Sequence, residues 1–306
     1  MTQLRIIFLG TSGSWPTVKR NAPSVAIKRS SEVILFDCGE GTQRQLQRSK
    51  LSYMQISKIF ITHFHGDHFL GIPGLIQTMQ LNDRENPLHI FGPKGMKKLV
   101  IQLLSLGYFI PNYNIVAHEV DEGSDLDFKE YSVNVLRVKH GVPTIAYALE
   151  EKMRPGKFNK PKALKLGMPE GPLFSKLQRG ESVILKNGRK IKPNMVLGPP
   201  RMGRKIVISG DTKPIEEMID FARDADVLIH EATFDSTLED ISSDFGHSTA
   251  LQAAKIAKKA NVDKLLLTHI SPRYLDDNVL QDEARKMFKN SHVVKDFQEV
   301  DIKLKK

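Results

Sequence analysis

ITHFHGDHFLG, residues 61–71, places four metal-capable side chains within six positions. These side chains are His63, His65, Asp67 and His68. The apolar run KIFIT ahead of them predicts a buried strand, so the cluster is expected where a strand ends at an active-site rim. Imidazole and carboxylate ligands without thiolates favour zinc, with iron or manganese as alternatives. A surface loop with incidental histidines is the competing interpretation.

Three further candidate ligands follow apolar strand patterns in the same way. His140 ends RVKH, Asp211 ends KIVISGD and His269 ends KLLLTH, so all three are expected at one sheet edge. Any one of them alone is more often a structural histidine or a turn aspartate. Together with the first four they would supply two ions that share a carboxylate, which is the composition of a binuclear hydrolase.

The segment HFHGDH resembles the HxHxDH signature of the metallo-β-lactamase superfamily, and the similarity covers nearly the whole chain. The resemblance implies a separate ligand set for each ion. The first set would be His63, His65 and His140. The second set would be Asp67, His68 and His269. The bridging ligand would be Asp211.

A carboxylate behind the ligands is a further implication of this resemblance. Asp37, in VILFDCGEGTQ, fits that role and could orient a ligand histidine through its free ring nitrogen. The alternative for Asp37 is a turn residue at the start of the helical pattern GEGTQRQL.

Three segments resemble ribonuclease Z, a family of endonucleases that remove the 3′ trailer from precursor tRNA. PTVKRN, residues 16–21, resembles the PxKxRN loop of that family, and HEATF, residues 230–234, and GHSTALQAA, residues 246–254, follow in order. The resemblance implies cleavage that leaves a 3′-hydroxyl on the tRNA and a 5′-phosphate on the trailer. β-Lactamase, glyoxalase, sulfatase and flavo-diiron functions do not call for these three added motifs.

The chemistry of such a cut requires a proton acceptor and a proton donor. Asp67 is the predicted acceptor for the attacking water, and His247 is the predicted general acid for the 3′ leaving oxygen. His247 is expected to open the helix STALQAAKIAKKA, and a carboxylate partner, Glu231, would favour its charged form. A capping histidine and a solvated loop acid are the alternative for this pair.

The PTVKRN loop also supplies candidate substrate contacts. Lys19, Arg20 and Asn21 combine charge with amide hydrogen bonding near the expected metal rim, although an ordinary polar turn has the same composition. Trp15 borders this loop and would either stack on a nucleotide or close the core.

Charge is concentrated in residues 151–205. This segment holds fifteen Lys and Arg against three Glu, a surplus of +12 in a chain whose net charge is +10. Its Pro and Gly content suits a disordered loop, but KPKALKLG predicts a short helix and SVILKNGRKI a hairpin turning at Asn187-Gly188. The family resemblance implies a protruding arm that grips tRNA through phosphate contacts. The candidate arm contacts are Arg154, Lys157, Lys176 and Arg179.

Chain length and the strand and helix patterns limit the possible architectures. Residues 1–306 fit one large domain with this inserted arm, and the alternation of strand and helix patterns indicates an α/β protein. The resemblance implies a four-layer αββα sandwich with a protruding basic arm. His89, His118, His230 and His292 are left outside the metal set.

Composition and the resemblance also set expectations for location and partners. The single cysteine, the absence of a signal peptide and of a ~20-residue apolar run favour a cytoplasmic protein without a membrane segment. The resemblance implies a zinc-dependent homodimer with two zinc ions per subunit and precursor tRNA as its partner, and no protein partner is evident. A general phosphodiesterase or sulfatase of the same fold, and a non-catalytic RNA-binding protein, are the alternatives.

Overall fold

Runs of β-branched and aromatic residues form the strands of two large sheets in the computed structural model, which describes residues 3–305. The predicted domain limits at residues 1 and 306 lie outside this range. The strands of the first sheet, in spatial order, are β16 (Glu299–Asp301), β1 (Leu4–Gly10), β2 (Ser24–Arg29), β3 (Glu32–Phe36), β4 (Ile56–Phe60), β5 (Leu88–Gly92) and β6 (Ile115–Glu119). The strands of the second are β15 (Ser291–Val293), β14 (Leu265–Thr268), β13 (Val227–Glu231), β12 (Lys205–Ile208), β9 (Thr144–Glu151), β8 (Tyr131–Val138) and β7 (Asp125–Asp127).

Parallel pairing brings several strand ends to the same side of each sheet. Strands β3 to β6 are parallel in the first sheet, and β12 to β15 are parallel in the second. Loops at the carboxyl ends of parallel strands are the usual location of a functional site.

Ten α-helices lie within the described residues. They are α1 (Thr42–Arg48), α2 (Gly66–Phe69), α3 (Ile72–Leu81), α4 (Met96–Leu104), α5 (Lys160–Lys165), α6 (Pro172–Gln178), α7 (Glu217–Phe221), α8 (Glu239–Asp244), α9 (Ala250–Lys259) and α10 (Asn278–Met287). Helices α1, α3 and α4 share a buried core with the first sheet, and α7, α9 and α10 share one with the second. The predicted four-layer αββα arrangement is thereby confirmed.

The inner faces of the two sheets meet around aromatic side chains. Tyr147 in β9 is fully buried against Phe36 and Phe60, with ring centroids 5.7 and 5.2 Å away. Its hydroxyl donates to the carbonyl oxygen of Ile61 at 2.7 Å, which ties the second sheet to the chain just before the HFHGDH segment. A buried phenol that keeps a hydrogen-bond partner adds apolar packing without an unpaired polar atom.

The strand KIFIT ends earlier than its sequence suggests. Strand β4 stops at Phe60, and the backbone NH of Thr62 donates to Asp37 Oδ1 at 2.8 Å instead of continuing the ladder. A side-chain acceptor therefore takes over from the neighbouring strand at the point where the ligand cluster begins.

Two compact units are distinguished in the chain, and the smaller holds most of the basic segment. The larger unit runs to Phe128 and includes Ser132–Leu149 and Lys205–Lys303, and it contains both large sheets' cores. The smaller unit is made of Lys129–Tyr131, Glu150–Arg204 and the chain end from Leu304.

The smaller unit is folded around its own apolar cluster. Helices α5 and α6 and the hairpin of β10 (Val183–Ile184) and β11 (Lys190–Ile191) surround this cluster. Its buried members are Ala163, Met168, Leu177, Val183, Leu185, Ile191 and Val196. The predicted helix and the predicted hairpin are both present, with Gly188 at a positive φ of 81° in the turn, whereas α6 was not predicted.

A buried ion pair stabilises the same unit. Arg204 donates to Glu151 through Nε at 2.6 Å and Nη2 at 2.7 Å, and both side chains are at most 5% exposed. Removing one partner of such a pair costs about 3–5 kcal/mol because the other charge is left buried alone.

Within residues 3–305, no helix has both the length and the apolar character required to span a bilayer.

Candidate metal and catalytic site

Four of the seven predicted ligands lie just beyond strand ends of the two sheets, and the other three lie at or in the short helix that follows β4. His63 follows β4, His140 follows β8, Asp211 follows β12 and His269 directly follows β14. His65 is the N-cap of the short helix α2, which carries the remaining ligands. Those ligands are Asp67 and His68. The structure therefore brings together every residue of the predicted metal set.

The first predicted set converges through ring nitrogens. His65 Nδ1 lies 3.1 Å from His63 Nε2 and 3.2 Å from His140 Nε2. The ligand atoms of the three residues lie within 4.8 Å of one another. Three imidazole nitrogens facing a common point form a ligand set suited to zinc.

The second predicted set converges on a carboxylate. Asp67 Oδ2 lies 3.5 Å from His68 Nε2 and 3.5 Å from His269 Nε2. The backbone NH of Ser14 donates to the same oxygen at 2.9 Å and so holds the Asp67 side chain toward the cluster.

Asp211 lies between the two sets. One oxygen, Oδ2, is 3.7 Å from His63 Nε2, 3.4 Å from His68 Nε2 and 3.2 Å from His269 Nε2. Burial alone would raise the pKa of this carboxyl, but His269 and His68 hold the pKa of Asp211 well below its usual range. An ionised, buried carboxylate that reaches both sets has the geometry of a bridging ligand.

Two buried histidine nitrogens without a hydrogen-bond partner indicate whether these residues fit a metal. His68 Nε2 and His269 Nε2 are buried and have no hydrogen-bond partner, although buried polar atoms normally have one. Both atoms point toward the carboxylates of Asp67 and Asp211. Divalent cations coordinated at these atoms would satisfy them, so the residues present fit a metal centre.

Asp37 lies directly behind this cluster. Its Oδ2 accepts the Nδ1 proton of His68 at 2.8 Å, which leaves His68 Nε2 free to face the ligands. The alternative was a turn residue at the start of the helical pattern GEGTQRQL; Asp37 does lie in a turn conformation with a φ of 57°, but it does not cap α1, which begins at Thr42 with Gly41 as N-cap.

A second buried acid contacts His247. Glu231, at the end of β13 and 2% exposed, accepts the Nδ1 proton of His247 at 2.8 Å. It also accepts the backbone NH groups of Thr212 at 3.0 Å and Thr233 at 3.1 Å. The alternative of a solvated loop acid is therefore wrong for Glu231.

His247 itself is held in its charged form. Burial lowers the pKa of this imidazole, but the neighbouring Glu231 carboxylate outweighs burial and raises the pKa to about 9. The ring stacks on His269 at a centroid distance of 5.3 Å, and its Nδ1 is 4.0 Å from Asp211 Oδ2. Helix α9 begins only at Ala250, so His247 precedes the helix and does not open it as predicted.

The close contact between the backbone at residue 246 and the His140 ring requires a glycine. Gly246 has a positive φ of 77°, its carbonyl oxygen accepts the Nδ1 proton of His140 at 2.8 Å, and a Cβ there would lie 2.9 Å from that nitrogen. Any larger residue would strain the backbone and displace a ligand. This contact was missed in the sequence, where Gly246 is visible only as the first letter of GHSTALQAA.

The PTVKRN loop has exposed and half-buried side chains. Arg20 is ion-paired with Asp277 and donates to Thr11 Oγ1 at 2.6 Å, so its guanidinium supports the loop and is not presented to solvent. Asn21 donates to the carbonyl of Glu40 at 2.8 Å, whereas Lys19 is exposed. Of the three predicted substrate contacts, only Lys19 has the exposure that RNA contact requires.

The predicted arm contacts also differ in exposure. Lys157, Lys176 and Arg179 are exposed, although Arg179 is paired with Glu181 at 2.9 Å. Arg154 donates to the carbonyl oxygens of Met202 at 3.2 Å and Lys305 at 3.4 Å. Arg154 is therefore partly committed to backbone contacts within its own unit.

A cavity of about 400 Å³ opens over the ligand cluster. Besides metal ligands, it is lined by Trp15, Phe234, Phe245, His247, Ser271 and Arg273. A larger cavity of about 860 Å³ contains His89 and His118, joined at 3.0 Å, but no described carboxylate completes a metal cluster with them. These two histidines remain outside the metal set.

Two sheets, their flanking helices and a converging cluster of seven candidate His and Asp ligands define a metal-dependent hydrolase of the metallo-β-lactamase fold. Family models agree: a beta-lactamase superfamily domain matches residues 194–270, and a model described as Anti-Pycsar protein Apyc1 matches residues 4–150. Ribonuclease Z of Methanosarcina acetivorans is 48% identical over 98% of both chains, and that of Archaeoglobus fulgidus is 46% identical over 97% of both. The chain belongs to the ribonuclease Z family.

A solved structure supports the same assignment. The short form of human tRNase Z superposes with a TM-score of 0.72 at 29% identity, covering 97% of this chain and 98% of the human one. The predicted fold and family are both confirmed.

Proposed function

We propose that this chain is a zinc-dependent endoribonuclease that removes the 3′ trailer from precursor tRNA. Its products would be a tRNA with a 3′-hydroxyl and a trailer with a 5′-phosphate. The observation that carries the proposal is the pairing, at 2.8 Å, of buried Glu231 with His247, which lines the cavity over the ligand cluster. A metal cluster alone serves many hydrolases, whereas an adjacent charged acid suits a substrate with a poor leaving group.

The ligand residues would hold two zinc ions. His63, His65 and His140 would bind one ion. Asp67, His68 and His269 would bind the other. Asp211, which lies between the two sets, would be shared by both ions. When bound, such ions lower the pKa of a coordinated water and neutralise phosphodiester oxygens.

Three side chains are assigned to proton transfer. Asp67 faces the cavity with Oδ2 fixed by Ser14, so its carboxylate is positioned to accept a proton from the attacking water. His247 has Nδ1 committed to Glu231, which leaves Nε2 to donate a proton to the departing 3′ oxygen. The expulsion of an alkoxide is thereby avoided.

The cavity rim offers contacts for nucleotides on either side of the cut. Trp15 is 61% exposed and Phe245 is 66% exposed, so both rings are accessible for base stacking. Arg273 lines the same cavity, and exposed Lys19 lies in the nearby PTVKRN loop. Cations at these positions would contact phosphates without reading sequence.

The basic segment is proposed as the tRNA-binding arm. Its folded cluster argues against a disordered solubilising loop, and residues 159–196 alone hold nine Lys and Arg against two Glu. A basic surface on a folded element suits recognition of a folded RNA by shape and backbone charge.

Neutralising two exposed arm lysines should weaken tRNA binding and reduce its salt dependence. Lys157→Gln with Lys176→Gln removes two candidate phosphate contacts, and the removal of each one lowers the slope of log affinity against log salt by about 0.7–0.9. Lys255→Gln with Lys258→Gln, in exposed positions of α9, removes the same charge elsewhere. Filter binding of precursor tRNA across a salt series measures both slopes. Equal slopes for the two double variants would contradict the arm assignment.

The proposal includes an oligomeric state and a cellular compartment for this protein. Because the family resemblance implies a homodimer, light scattering should give about twice the monomer mass, and a monomer at assay concentration would contradict this. Processing of precursor tRNA would take place in the cytoplasm.

The function is tested by substrate preference. Purified protein with zinc should cleave an end-labelled precursor tRNA far faster than an unstructured RNA carrying the same trailer. Comparable rates on the precursor, the unstructured RNA and a small chromogenic phosphodiester would favour a general phosphodiesterase instead.

A further inference from the structure

Two buried threonines occupy equivalent places on the two sides of the ligand cluster. Thr62 directly precedes His63, and Thr233 lies in the HEATF turn after β13. Both are at most 3% exposed, and each hydroxyl lies between a carboxylate and a ligand histidine. Neither threonine is a metal ligand.

The first threonine connects Asp37 to His63. Thr62 Oγ1 lies 3.1 and 3.0 Å from the two carboxylate oxygens of Asp37 and 3.0 Å from His63 Nδ1. An ionised carboxylate only accepts, so the hydroxyl proton goes to Asp37 and the hydroxyl oxygen accepts the Nδ1 proton of His63. His63 Nε2 is then unprotonated and faces Asp211 Oδ2 at 3.7 Å.

The second threonine connects Glu231 to His269 with the same donor and acceptor roles. Thr233 Oγ1 lies 2.8 Å from Glu231 Oε2 and 2.9 Å from His269 Nδ1. The hydroxyl donates to the carboxylate and accepts the Nδ1 proton of the imidazole, so Nε2 is the nitrogen of His269 that faces the other candidate ligands. That nitrogen lies 3.2 Å from Asp211 Oδ2.

Each carboxylate thus holds one histidine directly and a second through a threonine. Asp37 accepts from His68 Nδ1 at 2.8 Å, and Glu231 accepts from His247 Nδ1 at 2.8 Å. Glu231 uses Oε1 for His247 and Oε2 for the Thr233 hydroxyl. The acid that orients His247 is therefore also connected to a metal ligand.

We propose that Thr62 and Thr233 are positioning residues that fix the tautomer and ring orientation of His63 and His269 for metal binding. The inference rests on the proposed function for the metal centre itself. It extends the role of Glu231 from the His247 acid to the His269 ligand. Partners behind a metal ligand typically change metal affinity by about 10–100-fold when removed.

The test compares hydroxyl removal with hydroxyl retention. Thr62→Val and Thr233→Val keep the side-chain shape and lose the hydroxyl, whereas Thr62→Ser and Thr233→Ser keep the hydroxyl. Thr144→Val is the matched control, because Thr144 is 3% exposed and its hydroxyl donates only to the carbonyl oxygen of Val142. Zinc affinity is measured by chelator competition without RNA, and thermal unfolding of the metal-free proteins is measured beside it.

Each Val variant should bind one of its two zinc ions about 10–100-fold more weakly, and each Ser variant should bind within a few fold of wild type. Thr144→Val should retain wild-type affinity. If a Val variant fails to fold, the corresponding Ala variant, which also lacks the hydroxyl, replaces it.

Unchanged zinc affinity in both Val variants would overturn the inference, as would Ser variants that bind as weakly as Val. These outcomes are independent of RNA cleavage. A wild-type protein that binds no zinc would instead contradict the proposed function, and the inference with it.

Discussion

Asp211→Ala is expected to remove both of the proposed zinc ions and to slow precursor cleavage by about 10³-fold or more, because such ions contribute several kcal/mol to the transition state. Asp211 Oδ2 lies within 3.7 Å of ligand nitrogens from both proposed sets. Elemental analysis should give about two zinc ions per chain for wild type and nearly none for the variant.

The control for this variant is another buried aspartate. Asp226 is 8% exposed, and its Oδ2 accepts the backbone NH of Lys205 at 2.7 Å, away from the ligand cluster. Asp226→Ala should lose stability but retain zinc. Full zinc content and activity in Asp211→Ala would contradict the binuclear site, and zinc loss in both variants would assign the effect to folding.

His247→Ala is expected to slow cleavage of precursor tRNA by about 10²–10⁴-fold, the usual contribution of a positioned general acid. Zinc content and tRNA binding should stay near wild type, because His247 belongs to neither proposed ligand set and its interaction with the leaving oxygen is made in the transition state. A chromogenic phosphodiester with a good leaving group should be affected much less. Single-turnover rates on the two substrates measure the difference.

Comparing His247→Ala with Glu231→Ala distinguishes the loss of the general acid from the loss of its carboxylate partner. Glu231 contacts both His247 and, through Thr233, the ligand His269, so this variant should lose zinc affinity as well as rate. Equal loss for His247→Ala on good and poor leaving groups would point to phosphate binding and contradict the role of a general acid.

The convergence of the candidate ligand residues could be predicted from sequence because the signal is local. His63 to His68 lie within one segment, and His140, Asp211 and His269 each follow a recognisable strand. The four-layer fold was predicted through the family resemblance, since residue patterns alone indicated only an α/β chain.

Interactions that depend on three-dimensional packing were not predicted. The sequence places Thr62 and Thr233 inside known motifs, but their hydroxyls gain a function only when Asp37 and Glu231 are brought behind them. Arg20 is the opposite case, because the sequence assigned it a role that its packing does not support. Its position in PTVKRN suggests an RNA contact, yet Asp277, distant in sequence, takes its guanidinium.

The predicted start of helix α9 was also wrong for a physical reason. Thr249 and Gln252 form a capping box that begins α9 at Ala250, whereas His247 was expected to open this helix. The two intervening residues, Ser248 and Thr249, leave His247 outside the helix, where its ring faces Glu231.

The proposed mechanism is tested most directly by mapping the ends produced when the zinc-loaded protein cuts an end-labelled precursor tRNA. Attack of water at phosphorus with the 3′ oxygen leaving predicts one tRNA product ending in a 3′-hydroxyl and one trailer beginning with a 5′-phosphate. A 2′,3′-cyclic phosphate or a 3′-phosphate on the tRNA would contradict it, because either would require a different nucleophile or a different leaving group from those that Asp67 and His247 are positioned to serve.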